Sequence, residues 1–248
     1  MAKIQAVIFD LGGTLVDWPD WEQDVARRWE LAHAYIARTA PHKQWPAADA
    51  FVRAMQAAEA DHWRRVVAER CAEPPTTLLA DGMRRLELDA GPDELLLALD
   101  GYARAVEGWA VVMPDARATL ERLRAAGLRL GLLSNTWWAA AWHDADLATH
   151  GLGELLDTVV YTSDLAYSKP HPEVFHEVAA RLQVAPEACV MVGDRLVDDV
   201  GGALGAGMRG VWKRHSRPWP RPAEIVPNAT IDSLAELPAL LDRWRAEA

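Results

Sequence analysis

The sequence predicts an α/β protein: a parallel sheet covered by helices on both faces, with an all-helical subdomain inserted near its start. Three observations predict it. From about Trp109 onward, short apolar runs of strand length alternate with helical patterns, the order of parallel strands joined by crossover helices. Between the first strand and that region, Asp17 to Gly108 carries helical spacing only. A chain of 248 residues, half of them hydrophobic and a quarter charged, is long enough for a full core with an insertion.

The first strand is Gln5–Leu11, inside "AVIFDLGGTLVDW" from Ala6 to Trp18. An apolar run hands a carboxylate, Asp10, to a turn holding a glycine pair and a threonine. In the insertion, Trp21, Val25, Trp29, Ala32 and Ile36 share one helical face, and Phe51, Met55, Ala58 and His62 share another. Further helices are expected at Thr76–Leu88 and Pro92–Glu107. "PHKQWP", "CAEPPTT" and "DAGP" supply the breaks. Being inserted straight after Asp10, these helices should hang over the carboxyl end of the first strand, where open sheets bind ligands.

Beyond the insertion, "PDARATLERLRAAG" reads as a helix opening near Pro114 and stopping at Gly127. Strands follow at Leu128–Ser134, Thr158–Ser163, Ala188–Gly193, Gly210–Trp212 and Ala229–Ile231, with a helix from Pro172 between the second and third of these.

A net charge of −10 argues against a general affinity for nucleic acid or anionic membranes. "WKRHSRPWPRP", Trp212 to Pro222, interleaves bases with Trp219, a pattern that can bind single strands. It reads more simply as a proline-stiffened surface loop. Cys71 and Cys189 have no metal-ligand or CxxC spacing, which fits a reducing, cytoplasmic setting. "MAKIQAVIFD" is too short in its apolar run for a signal peptide, and no segment approaches transmembrane length.

Four groups carry candidate chemistry. "FDLGGT" alone is also the opening of actin-like ATPases and sugar kinases, but there the turn leads into a hairpin, whereas here it leads into proline and a helical pattern. At Leu132, "LLSNT" ends a strand in Ser134 and Asn135; "YSKPHPEVF" supplies Lys169; "VMVGDRLVDDVGGALGAGM" supplies Asp194, Asp198 and Asp199. Separately, each reads as a cap, a surface lysine or a solvated helix start.

In this order and at strand ends, these motifs resemble the haloacid dehalogenase-like (HAD) superfamily of hydrolases over essentially the whole chain. The resemblance implies a Rossmann-like core, residues 1–16 and 109–248, with a helical cap, residues 17–108. It implies a Mg²⁺-dependent phosphohydrolase acting on a small phosphorylated metabolite. Asp10 would be the nucleophile, forming an aspartyl-phosphate. Asp10, Asp194 and the backbone carbonyl of Gly12 would hold Mg²⁺, and Asp199, with Asp198 as its rival, would orient water on the ion. Ser134, Asn135 and Lys169 would bind the phosphoryl oxygens, with Gly13 and Thr14 on the same turn among the substrate-binding residues.

Gly12 departs from the family pattern. Most phosphatases of the superfamily carry a second aspartate there, which protonates the leaving oxygen; such help is worth about 10²–10⁴-fold in rate. The chain therefore reads as a slow or leaving-group-selective phosphatase, as a member with dehalogenase- or phosphonatase-like chemistry, or as a non-catalytic binding member. The dehalogenases lack the Gly-Asp pair of the last motif, and a phosphonatase would need a cap lysine such as Lys43. His33 and His62 are candidate cap acids. Trp18, Trp21, Trp137, Trp138 and Trp142 either line an aromatic pocket or pack cap on core.

Overall fold

The computed structural model describes residues 3–19 and 24–246. The chain runs β1 (Ala6–Phe9), β2 (Val16–Asp17), α1 (Val25–Thr39), α2 (Ala48–Glu69), α3 (Pro75–Arg84), α4 (Pro92–Val106), β3 (Val111–Val112), α5 (Ala116–Ala125), β4 (Arg129–Ser134), α6 (Ala140–Thr149), β5 (Thr158–Tyr161), α7 (Pro172–Leu182), β6 (Cys189–Gly193), a π-type turn (Leu196–Gly201), the short α8 (Gly202–Gly205), β7 (Arg209–Lys213), β8 (Ala229–Ile231) and α9 (Leu237–Ala246). Each expected strand is present. The helix expected from Pro114 begins at Ala116, because Asp115 adopts a left-handed conformation at its N-terminus.

The main sheet has the order β5-β4-β1-β6-β7-β8, with every pairing parallel. β1 and β6 are buried along their whole length, which is why they read as unbroken apolar runs rather than alternating ones. From β1 the chain builds β4 and β5 to one side, then crosses to build β6, β7 and β8 on the other. This reversal leaves a crevice at the carboxyl end of β1, which is where Asp10 stands.

The four helices α1–α4 lie between β2 and β3, two short strands that pair antiparallel with each other. β2 thus pairs across the insertion and not back onto β1, so the hairpin required by a kinase-type site is not formed. Trp29, Ala32 and Ile36 of α1 and Phe51, Met55, Ala58 and His62 of α2 are buried, as their spacing predicts. Trp21 lies outside the described residues. Among the described residues, no helix is long and apolar enough to cross a membrane.

Candidate active site

The ladder between β1 and β6 carries on past the strand end, where the Asp10 amide donates to the Val192 carbonyl at 2.9 Å, fixing where the carboxylate emerges. The turn that follows closes tightly: the Leu15 amide donates to the Leu11 carbonyl at 2.9 Å, and Gly13 sits at φ +80°. A Cβ at Gly13 would stand 2.8 Å from Asp194 Oδ2, so only glycine lets the turn lie this close to the next acid. Lys213, itself buried, donates to the Gly13 carbonyl at 3.0 Å.

Asp10, Asp194 and Asp199 are all buried, and one carboxylate oxygen from each lies within 4.8 Å of the others. Lys169 Nζ donates to Asp10 Oδ1 and to Asp199 Oδ1, both at 2.6 Å, and to the Leu133 carbonyl at 3.0 Å. Burial raises the Asp10 carboxyl to about 6; Lys169 opposes the shift and Asp199 adds to it. Burial raises Asp194 to about 7, helped by repulsion from Asp10 and Asp199. Burial alone would lower the Lys169 ammonium, but the attraction of the two carboxylates outweighs it and holds the group above the ordinary lysine range.

The π-type turn sends the neighbouring acids to different partners. Asp199 points inward, its Oδ2 accepting the Arg195 amide at 2.9 Å, while Asp198 faces the Arg195 guanidinium at 3.3 Å and is partly exposed. Such turns are common at functional sites because they aim side chains a regular helix would not. A Cβ on Gly193 would overlap the Asp199 side chain. Gly193→Ala is therefore expected to cost about 1–3 kcal/mol, read by urea denaturation; an unchanged midpoint would show that Asp199 has room to move.

Ser134 ends β4 and lines the cavity described below. Asn135 is bound differently from the expectation that it holds phosphoryl oxygens. Its Nδ2 donates to the Lys169 carbonyl at 2.9 Å and its Oδ1 accepts the Lys169 amide at 2.8 Å, so this side chain fixes the lysine's backbone and keeps only one N–H in reserve. Thr14 is wholly buried, and its hydroxyl has no partner among the described residues. Neither Thr14 nor Gly13 lines the cavity.

That cavity, about 470 Å³, joins the strand ends to the helical insertion. Asp10, Gly12, Ser134, Asn135 and Lys169 form its floor. Gln56, Glu59, Ala60, Trp63 and Val67 of α2, spaced three, four and seven residues apart, form the opposite wall. His33, His62 and Lys43 do not line it. His33 meets the Pro46 carbonyl at 2.8 Å, His62 meets Glu73 at 2.9 Å, and Lys43 pairs with Glu94. Among the described residues, the insertion's acid at the cavity is Glu59, whose Oε2 accepts the Trp29 indole N–H at 3.0 Å; burial raises its carboxyl against the pull of Arg28.

Two features escape a reading of the sequence. First, a Cβ at Gly12 would sit 3.2 Å from Cζ3 of Trp18, so an indole occupies the space beside the glycine. Second, the segment after β7 is no plain surface loop. The Trp219 indole donates to Asp194 Oδ2 at 2.9 Å, with Arg195 stacked on its ring at 4.0 Å. Trp212 donates to the Asp194 carbonyl at 3.0 Å, and Arg217 pairs with Asp17. The one available signal was position: β7 ends at the same sheet edge as Asp10, so the chain leaving it passes the site. Of the tryptophans expected to line a pocket or pack cap on core, Trp18, Trp137 and Trp138 do both: Trp137 stacks on Trp29 at 6.1 Å, joining core to insertion, Trp18 meets Trp138 edge-on at 5.6 Å, and all three line the cavity. Trp142 does not line it and packs edge-on against Trp137 and Trp138 at 6.3 and 5.7 Å.

A family model described as haloacid dehalogenase-like hydrolase matches residues 4–207. The chain is 34% identical over 158 residues to a glyceraldehyde 3-phosphate phosphatase of Methanopyrus kandleri, covering 62% of this chain and 67% of that one. It covers 55% of a Pyrococcus furiosus relative of the same name, about half that protein's length. It is 27% identical over 254 residues to the N-acylneuraminate-9-phosphatase of Mus musculus, covering 97% and 95%. Among solved structures, a 2-haloacid dehalogenase from Pseudomonas syringae superposes with a TM-score of 0.68 at 26% identity, covering 97% and 99%. A magnesium-bound HAD hydrolase from Bacillus subtilis, at TM-score 0.65 and 21% identity, covers 97% and 100% and shares the fold.

Proposed function

The chain belongs to the haloacid dehalogenase-like hydrolases, and from that premise we propose that it is a Mg²⁺-dependent phosphatase acting on a small phosphorylated molecule through Asp10. The observation that carries this reading is the convergence of Asp10, Asp194 and Asp199 within 4.8 Å of one another at the cavity where Asp10 forms part of the floor. A structural role explains such a cluster poorly, since buried like charges repel. Its donor set fits a hard divalent cation: Asp194 Oδ1 is buried with no hydrogen-bond partner among the described residues, and carboxylate oxygen suits Mg²⁺. Asp10, Asp194 and the Gly12 carbonyl would hold the ion, which when bound neutralises the charge that otherwise keeps a phosphate from a carboxylate.

Asp10 supplies the attacking oxygen. A bond forms from its carboxylate to phosphorus, the ester bond breaks, and the electron pair leaves on the alcohol oxygen; water then attacks phosphorus, the bond from phosphorus to the Asp10 oxygen breaks, and inorganic phosphate leaves with Asp10 restored as a carboxylate. Lys169 holds Asp10 in line and meets the phosphoryl charge, and Ser134 offers a hydroxyl from the neighbouring strand. Asn135 and Asp199 keep Lys169 in place, one through its backbone and the other through its ammonium. The direct test is hydrolysis of p-nitrophenyl phosphate with MgCl₂ and with EDTA. Turnover that needs the metal is expected; turnover indifferent to it contradicts the mechanism, and binding of phosphate without turnover would make the chain a non-catalytic member.

Stability should report the same cation. The raised carboxyls of Asp10 and Asp194 favour the fold while protonated, and that contribution is lost as pH climbs from the ordinary carboxylate range through about 6 and about 7. The metal-free protein should therefore gain more from Mg²⁺ at pH 8 than at pH 5. At a hundred times the dissociation constant the gain is about 2.7 kcal/mol. Thermal melts at both pH values check it, and equal shifts would contradict it.

A further inference from the structure

The cavity wall names a class of substrate, given the phosphatase reading on which this inference rests. Beside the nucleophile's turn, where a phosphatase of this kind carries a proton donor, Gly12 has no side chain and Trp18 fills the adjoining space at 3.2 Å. Among the described residues, His143 and Glu59 are the remaining candidate proton donors on the wall. His143 is pushed down to about 3 by burial, is neutral at pH 7, and spends Nε2 on the Thr136 hydroxyl at 2.9 Å. Glu59 lies on the far wall with its Oε2 taken by Trp29. Asp10, Ser134, Asn135 and Lys169 lie on the floor, Gln56 and Glu59 stand on the facing wall, and Trp18, Trp63, Trp137, Trp138 and Trp219 line the same cavity.

These two facts answer each other chemically. As the ester bond breaks, its electron pair goes to the departing oxygen. An alkoxide is about as poor a leaving group as hydroxide, whose parent acid has a pKa of roughly 15.7. A phenolate comes from an acid of pKa about 10 and leaves without a proton. A flat ring on that oxygen would also meet indole faces and edges, the surroundings aromatic rings prefer, and 470 Å³ is in the size range of small-molecule pockets. We propose that the cavity selects phosphate monoesters of aromatic alcohols, the leaving group departing as the phenolate between these tryptophans.

Two measurements on the full-length protein with Mg²⁺ test this. Phenylphosphonate and propylphosphonate, neither of them hydrolysable here, are compared by calorimetry; the aryl compound is expected to bind at least about tenfold more tightly. Trp63→Leu, at a partly buried lining residue, should shrink that ratio by lowering the aryl affinity more than the alkyl affinity. Turnover is then measured for phenyl phosphates of graded leaving-group acidity and for alkyl phosphates. kcat/KM should fall steadily with rising leaving-group pKa, with alkyl esters at least about 10²-fold slower than phenyl phosphate. Equal affinities, a ratio untouched by Trp63→Leu, or alkyl esters turned over as fast as aryl ones would overturn the proposal, the last by revealing a proton donor. If nothing is hydrolysed, the phosphatase reading fails, while the phosphonate comparison still decides whether the cavity selects aromatic rings.

Discussion

Asp10→Asn lowers kcat for phosphate-ester hydrolysis by at least about 10⁴-fold, the scale on which nucleophile removal acts in covalent catalysis. The carboxamide matches the carboxylate in shape and can still accept the Lys169 hydrogen bond through its oxygen. It cannot attack phosphorus. The fold should survive, because the change removes an anion that burial and Asp199 already oppose. Steady-state hydrolysis and a urea melt on the same sample separate the two effects. A variant that keeps wild-type turnover would move the nucleophile elsewhere; one that fails to fold would instead show that Asp10 carries structure.

Lys169→Met is expected to damage both stability and turnover. Lys169 is buried, and its ammonium holds Asp10, Asp199 and the Leu133 carbonyl together through bonds of 2.6, 2.6 and 3.0 Å. Methionine matches much of the volume but leaves two buried carboxylates facing each other. Breaking a buried pair in this way costs about 3–5 kcal/mol, which for a chain of this size is a fall in melting temperature of about 6–20 °C. The sign of the pH dependence is fixed by the same groups. Burial raises the Asp10 carboxyl to about 6, so Asp10 is mostly neutral at pH 5 and charged at pH 8, and the variant should lose less stability at pH 5 than at pH 8. An equal loss at both would mean that the acids are not the cause.

Much of this site lies at strand ends, and that is why it was legible. A strand buried on both faces must be a continuous apolar run, so Gln5–Leu11 and Ala188–Gly193 announce themselves, and a carboxylate just beyond such a run stands at the sheet's carboxyl edge. α2 was legible in part. The spacing of Phe51, Met55, Ala58 and His62 marks the face packed into the helical insertion, but the adjacent face, with Glu59 and Trp63, looks into the cavity only because of how α2 docks. Periodicity places residues on faces and does not say what each face meets.

The remainder depended on contacts with no local pattern. β2 and β3 are two residues each, too short for a period, and pair across the whole insertion. Asp198 and Asp199 are neighbours with the same chemistry, and only the turn from Leu196 to Gly201 sends one inward. Trp219 reaches Asp194 from beyond the end of β7, so "WKRHSRPWPRP" looks like surface until the segment folds back onto the end of β6. Asn135 looks like a phosphate ligand by position, yet its amide is bonded to Lys169, a partner distant in sequence.

The central claim is that Asp10 forms a covalent bond to phosphorus. It is tested most directly by mixing the protein with Mg²⁺ and an aryl phosphate, quenching with acid within the first turnover, and mapping the peptides by mass spectrometry. A phosphoryl group on the peptide carrying Asp10, absent when EDTA replaces the metal, is the predicted result. Product release with no phosphorylated carboxylate, or with the phosphoryl group on another residue, would contradict it.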